Sequence, residues 1–401
     1  MAVGLGVYVL SRMCVMAGAM VRASQLAVDA RTDGEPEQSA LTTLTQVLTS
    51  WDGRWYLELV RTGYPDSIPA DVTFDDLEAR AAFFPMYPGA VRLVDTVLPG
   101  GDTFAALFVN FVLGAISVVM IGILARQVFP DGVAARAMTI YAIFPGSFVL
   151  SFAYSEALLI VFAAACLLLL MDEQWLLAGF AGAIATATRP NGIAVVLACL
   201  VAALPVVWSR REWRPLLAVA IAPLGFVAFQ LYVDDVAGER GAWFRVQREA
   251  WDEGTSFGWT AVESVREFFS DPFQSPAPGL TVVSLIVLGF MGWCAWKVRL
   301  PLPWVAYSAV IVALMLVPET VTARPRFVFT AFPLFIAVAA WWPERVRTVR
   351  TTRGGGDHVE RSTSEDDRAS IDRVGWDAAI LLCGAGLVTL TALYAVLGAI
   401  P

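Results

Sequence analysis

Asp52 stands in the run Trp51-Asp52-Gly53-Arg54-Trp55-Tyr56. Leu41, Leu44, Leu48, Trp51, Trp55 and Leu59 recur at spacings of 3, 4, 3, 4 and 4, which is one face of an amphipathic helix. Asp52 lies four residues after Leu48 and four before Tyr56, so it points towards that face. The tryptophans suit a membrane–water boundary, where such a helix lies along the interface. A carboxylate placed there is partly desolvated and becomes a better proton acceptor near neutral pH. The alternative is a solvated acid, or one paired with Arg54.

A second set of groups could handle an anion. Glu156 sits in Ala153-Tyr154-Ser155-Glu156, Arg189 in Thr188-Arg189-Pro190-Asn191-Gly192, and Arg324 and Arg326 flank Pro325. Each lies at the end of an apolar run, where an ionisable side chain is costly and therefore a functional candidate. The three arginines together could cradle a phosphate, because the guanidinium fork matches phosphate oxygens. The competing reading is snorkelling, or a structural ion pair such as Glu156 with Arg189. Arg12, inside the first apolar run, either faces the bundle or reaches the inner interface.

Other chemistries have little to build from. The single histidine, His358, lies in a polar stretch, which disfavours a Ser–His–Asp hydrolase, a His-ligated metal site or a haem. The five cysteines (Cys14, Cys166, Cys199, Cys294, Cys383) fall in apolar runs and form no CxxC pair, so they read as small core residues. Net charge is −8, and Lys297 is the one lysine among 28 basic residues. That balance points to a GC-rich genome and gives no sign of a nucleic-acid partner.

The elements that must hold these groups are membrane helices. Of the 401 residues, 57% are hydrophobic and 16% charged, against about 45–50% and 25% in soluble domains. That excludes an ordinary soluble enzyme and a disordered chain. Several apolar runs reach the roughly 18–20 residues that cross a bilayer. Candidate spans are 2–24, 103–125, 134–149, 152–171, 174–188, 191–208, 214–233, 280–298, 302–318, 327–342 and 376–399. Segments bounded by Pro or Gly, such as 134–149 and 174–188, can be half-helices lining a cavity. The fold class is therefore an all-α polytopic membrane protein with about eleven transmembrane helices. Without a basic n-region, the first run is expected to remain as a span.

Basic residues orient the chain. With the N-terminus inside, the inner loops carry half of the 28 basic residues, seven of them arginines in 343–375. Two long acidic loops, 25–102 and 234–279, then lie outside, and so does the C-terminus. Segment 343–375 reads as a flexible cytoplasmic linker before the last span, 376–399. The segment Phe83-Phe84-Pro85-Met86-Tyr87-Pro88 in the first outer loop reads as a kinked interfacial or re-entrant piece, or as the start of a further span. No internal repeat is visible, which counts against repeat-built transporters.

In order, Trp51-Asp52-Gly53-Arg54-Trp55-Tyr56, Gly63-Tyr64-Pro65, Phe83 to Pro88, Phe144-Pro145, Tyr154-Ser155-Glu156-Ala157 and Ala187 to Gly192 resemble the PIG-V family. These are membrane mannosyltransferases typified by the second mannosyltransferase of GPI-anchor assembly. The blocks run from about residue 50 to 192, with a weaker echo at Arg324-Pro325-Arg326-Phe327. Ser155 stands where many relatives have threonine. The resemblance implies the GT-C superfamily of polyprenol-phosphate-sugar-dependent glycosyltransferases, and one membrane-embedded domain over 1–401. It implies a dolichyl- or polyprenyl-phosphate hexose donor, with mannose as the sugar. The acceptor would be a lipid-linked glycan, glycolipid or protein, met at the outer face of a prokaryotic plasma membrane. It makes Asp52 the catalytic base of an inverting transfer. Trp51, Arg54, Tyr56, Tyr64, Tyr154, Glu156, Arg189, Asn191, Arg324 and Arg326 are then the expected substrate-binding residues. No Asp-Asp or Glu-Asp pair stands at the motif, so neither a metal ion nor a cofactor is expected beyond the lipid-linked sugar. The rival readings from other classes are a polytopic transporter or lipid flippase, and a non-catalytic subunit of a membrane glycosyltransferase.

Overall fold

The structure, a computed structural model, describes residues 1–34, 36, 38–273, 275–319, 325–342 and 363–394, the side chains of 363–373 apart. The described residues are helical almost throughout, with a single isolated bridge between Thr255 and Pro318. In chain order the helices are α1 Ala2–Thr32, α2 Ala40–Leu48, α3 Asp52–Thr62, α4 Met86–Asp95, α5 Gly101–Arg126 and α6 Asp131–Ile143. Then follow α7 Glu156–Met171, α8 Trp175–Thr186, α9 Ala194–Arg210, α10 Leu216–Ile221, α11 Leu224–Ala237 and α12 Ala242–Glu249. The chain continues with α13 Trp259–Ser270, α14 Pro276–Val298, α15 Leu302–Leu316, α16 Pro325–Thr330, α17 Pro333–Trp341 and α18 Thr363–Tyr394.

Among the described residues, six segments are helices long and apolar enough to cross a membrane: 2–32, 101–126, 190–210, 216–237, 276–298 and 374–394. Three shorter apolar helices, α7, α8 and α15, pack among them. Three of the expected spans are broken; within 214–233, α10 and α11 are separated at Pro223. Pro145 ends α6, and a 3-10 turn, Pro145–Leu150, follows it. Pro333 separates α16 from α17. A proline removes a backbone donor and its ring clashes with the preceding turn, so each helix stops there. The expected span 152–171 likewise starts as helix only at Glu156. Of the expected linker 343–375, residues 343–362, His358 among them, lie outside the described residues. From Thr363 the chain is helical, as part of α18.

Small residues bring the long helices together, as association within lipid requires. A Cβ on Gly114 would lie 2.3 Å from the Tyr8 hydroxyl, so α5 can approach α1 this closely only with glycine. Tyr8 then donates to the Phe111 carbonyl at 2.8 Å. Arg12 faces the bundle interior and is 6% exposed.

The stretch from Leu41 to Leu59 departs from the single amphipathic helix expected. It forms two helices, α2 and α3, separated at Trp51, whose backbone has φ 56° and ψ −121°. A bulky residue at positive φ is strained and persists only where its surroundings hold it. Trp51 is held by its indole N–H, which donates to the Tyr394 carbonyl at 3.1 Å. Trp55 does not sit at a lipid boundary. It is 2% exposed and packs against Phe74, Phe83 and Trp251. The segment 83–88 leads into the short helix α4, and Met86 N–H donates to the Ala187 carbonyl at 3.3 Å. The stretch around α12 is clipped onto residues 69–82. Arg245 donates to the Pro69 and Ala70 carbonyls at 2.8 and 3.2 Å, and Trp243 Nε1 to the Ala82 carbonyl at 3.0 Å.

Candidate functional site

The break at Trp51 makes Asp52 the first residue of α3. There the partial positive charge of a helix N-terminus supports a carboxylate. Arg326 lies in α16, directly after Pro325. Arg189 lies in the extended residue between α8 and the turn Pro190–Ile193. Glu156 opens α7. These four residues come from four separate parts of the chain and meet at one end of the bundle.

Arg326 Nη2 donates to Asp52 Oδ2 at 3.2 Å. Arg189 Nη1 lies 3.6 Å from the same oxygen and 3.1 Å from Glu156 Oε2. Arg326 Nε lies 3.9 Å from Glu156 Oε1. Two guanidiniums and two carboxylates therefore alternate, with no net charge. Exposure grades across the cluster: the Asp52, Arg189, Arg326 and Glu156 side chains are 13%, 12%, 7% and 1% exposed. Asp52 and the arginines face a cavity, and Glu156 stands behind them. The structural ion pair weighed for Glu156 and Arg189 does form, but Arg189 reaches Asp52 at the same time. Asp52 thus meets two cations, and neither of them is Arg54.

A layer of neutral hydrogen bonds holds these ions. Arg326 Nη1 donates to Tyr394 Oη at 2.6 Å, and Tyr394 Oη shares a hydrogen bond with Tyr154 Oη at 2.7 Å. Tyr154 donates to the Ser50 carbonyl at 3.1 Å, and its ring lies 5.5 Å from the Arg326 guanidinium. Arg189 Nη1 donates to Ser155 Oγ at 3.2 Å, which shares a 2.6 Å hydrogen bond with Tyr56. Burial, as the largest cause, pushes the Tyr56 hydroxyl above its ordinary value against the opposing pull of Arg189. Tyr56 therefore remains a neutral hydrogen-bonding group near neutral pH.

The cavity has a volume of about 900 Å³, within the ~300–1,000 Å³ typical of small-molecule sites. Asp52, Arg189, Asn191 and Arg326 give it one polar wall. Trp51, Tyr56, Phe74, Phe83, Trp243, Trp251 and Phe327 contribute aromatic surface, and Ile311, Leu314 and Met315 contribute aliphatic surface. Gln247, Arg248, Asp252 and Glu253, in and just after α12, add further polar groups.

The expected residues separate into three groups. Trp51, Asp52, Tyr56, Arg189, Asn191 and Arg326 line the cavity. Tyr154 and Glu156 support it from behind. Arg54 and Tyr64 do neither. Arg54 is exposed with its guanidinium 5.2 Å from the Trp55 ring. Tyr64 donates to the Phe83 carbonyl at 2.6 Å and packs on Phe229 and Tyr232. Arg324 lies outside the described residues. Sequence reasoning missed Tyr394 and the stretch around α12. A tyrosine in an apolar helix carries no signal of its own. The pattern Trp243, Val246, Ala250 and Trp251 could have marked an inward-facing edge of that stretch. Among the described residues no group of three or more His, Cys, Asp or Glu side chains is arranged to hold a metal ion.

Residues 84–232 match the family model for dolichyl-phosphate-mannose-protein mannosyltransferase, somewhat over a third of the chain. Glu156, Arg189 and Asn191 fall inside that stretch, and Asp52 and Arg326 outside it. No curated protein matches the chain. Among solved structures, the chain is similar to the Archaeoglobus fulgidus oligosaccharyltransferase tethered with an acceptor peptide. Identity is 12% and the TM-score 0.50, over 97% of this chain and 55% of that one. It is also similar to ArnT from Cupriavidus metallidurans bound to undecaprenyl phosphate. There identity is 16% and the TM-score 0.47, over 85% of this chain and 68% of that one. The chain thus spans about half the length of the oligosaccharyltransferase, and at this identity the likeness is one of fold. That fold is the GT-C type, in an integral multi-pass membrane protein.

Proposed function

We propose that this protein is a membrane glycosyltransferase that takes a hexose, mannose by the motif resemblance, from a polyprenyl-phosphate donor. The carrying observation is one carboxylate, Asp52, held between two guanidiniums on the polar wall of a cavity whose lining is in larger part aromatic and aliphatic. A saccharide phosphate on a hydrocarbon tail needs those three surfaces together. The family match over 84–232 supports the same donor class, and the quoted motifs support the PIG-V subfamily. The acceptor is a glycan, glycolipid or protein hydroxyl. The site faces the extracytoplasmic side of a prokaryotic plasma membrane, following the distribution of arginines.

Asp52 is the general base in this reading. The acceptor hydroxyl gives its proton to the Asp52 carboxylate, its oxygen forms a bond to the anomeric carbon, and the bond from that carbon to the phosphate oxygen breaks. The configuration inverts. The phosphodiester, with one charge, leaves as a phosphate monoester with two. As Asp52 is neutralised by the proton, the lipid phosphate gains one negative charge. Arg189 and Arg326, which both approach Asp52 Oδ2 in the resting site, are released to meet that charge. Guanidinium forks aimed where charge develops stabilise the transition state. The net charge around the arginines stays constant through the step, which suits a water-poor site.

The test is mass spectrometry of cell lipids and glycans with and without the gene. Loss of one hexose from a defined species supports transfer and names sugar and acceptor. Unchanged glycans, together with donor-independent uptake by proteoliposomes, overturn the reading in favour of a transporter.

A further inference from the structure

We propose that Arg12, in the first membrane span, is a positioning residue for Arg326. It touches neither the cavity nor any group of the charge cluster. Nη1 donates to the Ser147 carbonyl at 2.6 Å and to Ser151 Oγ at 3.1 Å. Nη2 donates to Ser147 Oγ at 2.8 Å and to the Ala142 carbonyl at 3.2 Å. Ser11 Oγ accepts from Nε and Nη2 at 3.3 and 3.1 Å. The Tyr8 ring lies 5.0 Å from its carbon centre. A cation at this depth is costly. Here Ser11 and the Tyr8 ring of its own helix meet part of it, and its remaining partners are the Ala142 carbonyl at the end of α6 and Ser147 and Ser151 in the broken stretch that follows.

The reason lies in that break. Where Pro145 ends α6, carbonyls lose their helical donors, and in a bilayer they must be satisfied internally. Arg12 supplies donors at the start of the stretch. Asn110, fully buried in α5, supplies them at its end, donating to the Phe152 carbonyl and, at 2.8 Å, to that of Tyr154. The stretch so fixed carries the supports of Arg326. A Cβ on Gly146 would lie 2.1 Å from the Pro325 carbonyl oxygen, so the 3-10 turn backs directly against the residue before Arg326. The Phe148 and Phe152 rings lie 4.6 and 5.7 Å from the ring of Tyr394, whose hydroxyl accepts from Arg326. Releasing the turn would therefore loosen both contacts that aim Arg326 at Asp52. A lysine cannot replace the fork, since one ammonium cannot reach the spread of acceptors that two Nη atoms and Nε reach together.

This inference rests on the reading that Arg326 binds the lipid phosphate. Its test uses the full-length protein in nanodiscs, with undecaprenyl phosphate as probe and tryptophan fluorescence as signal. Arg12→Lys is expected to weaken binding about tenfold, and Ser147→Ala with Ser151→Ala by a smaller factor. The discriminating readout is a double-mutant cycle. Arg12→Lys combined with Arg326→Lys should bind no more weakly than Arg326→Lys alone, because both act through one contact. Wild-type affinity in Arg12→Lys, or losses that add in the cycle, overturn the inference and leave the phosphate reading intact. Should Arg12→Lys fail to fold, the two serine variants carry the same cycle. A wild-type protein that does not bind the probe overturns both readings.

Discussion

Replacing Asp52 by asparagine keeps the side chain's size and removes its charge and basicity. In the native site two guanidiniums face two carboxylates. After the change only Glu156 opposes Arg189 and Arg326, which leaves one excess positive charge beside the cavity. Unit charges at the 3.2 Å separation of Arg326 and Asp52 attract by about 5 kcal/mol at an effective dielectric of about 20. Desolvation of both partners offsets most of this. Arg326 keeps Tyr394, and Arg189 keeps Ser155 and Glu156. The net cost to folding is then about 1–3 kcal/mol, which a large helical bundle tolerates. The chemical cost is separate. Loss of a positioned base reduces the rate by about 10²–10⁴, or ~2.7–5.4 kcal/mol of activation free energy. The unbalanced positive charge predicts that the variant binds undecaprenyl phosphate at least as tightly as the wild type. The assay combines that affinity with release of polyprenyl phosphate from polyprenyl-phosphate mannose, using lipid extract of a strain lacking the gene as acceptor source. Near-normal turnover in purified Asp52→Asn would refute the base assignment and move the search to Glu156. Weaker lipid-phosphate binding would refute the exchange of charge between Asp52 and the leaving group.

Glu156→Gln should show the opposite pattern. At 1% exposure and 3.1 Å from Arg189, its loss strands a buried cation at a cost of about 3–5 kcal/mol, seen as a lower melting temperature in fluorescence-detected thermal unfolding. An unchanged melting temperature would contradict its place behind the arginines. Arg189→Lys should raise the KM for donor and leave that for acceptor unchanged, since a single ammonium cannot bridge Asp52 and Glu156 as the fork does. Equal effects on both substrates would make Arg189 a structural residue. For topology, after the native cysteines are replaced, Asp66→Cys should react with an impermeant thiol reagent in intact cells and Glu212→Cys only after permeabilisation. The reverse pattern would place the site on the cytoplasmic side.

Composition and run length were enough to determine a helical membrane bundle, because a bilayer core leaves the backbone no partner except itself. They also put Asp52, Glu156, Arg189 and Arg326 at a common end, since alternating spans return the chain to the same side. What they left open was contact. Asp52 and Arg326 lie 274 positions apart, and neither helical period nor local charge says that the partner of Asp52 is Arg326 rather than Arg54, two residues away. The apolar repeat from Leu41 to Leu59 runs unbroken through Trp51, so the sequence reads as one helix. The break comes from packing at a distance: Trp55 against Phe83 and Trp251, and the Trp51 indole on the Tyr394 carbonyl. Tyr394 was illegible for the same reason. Its role exists only because α18 brings it beside α16 and the turn after Pro145. Periodicity reports which residues leave water, a property each helix carries alone. Which buried charge meets which depends on how separate helices are set against one another, and that is decided by side-chain fit across the bundle.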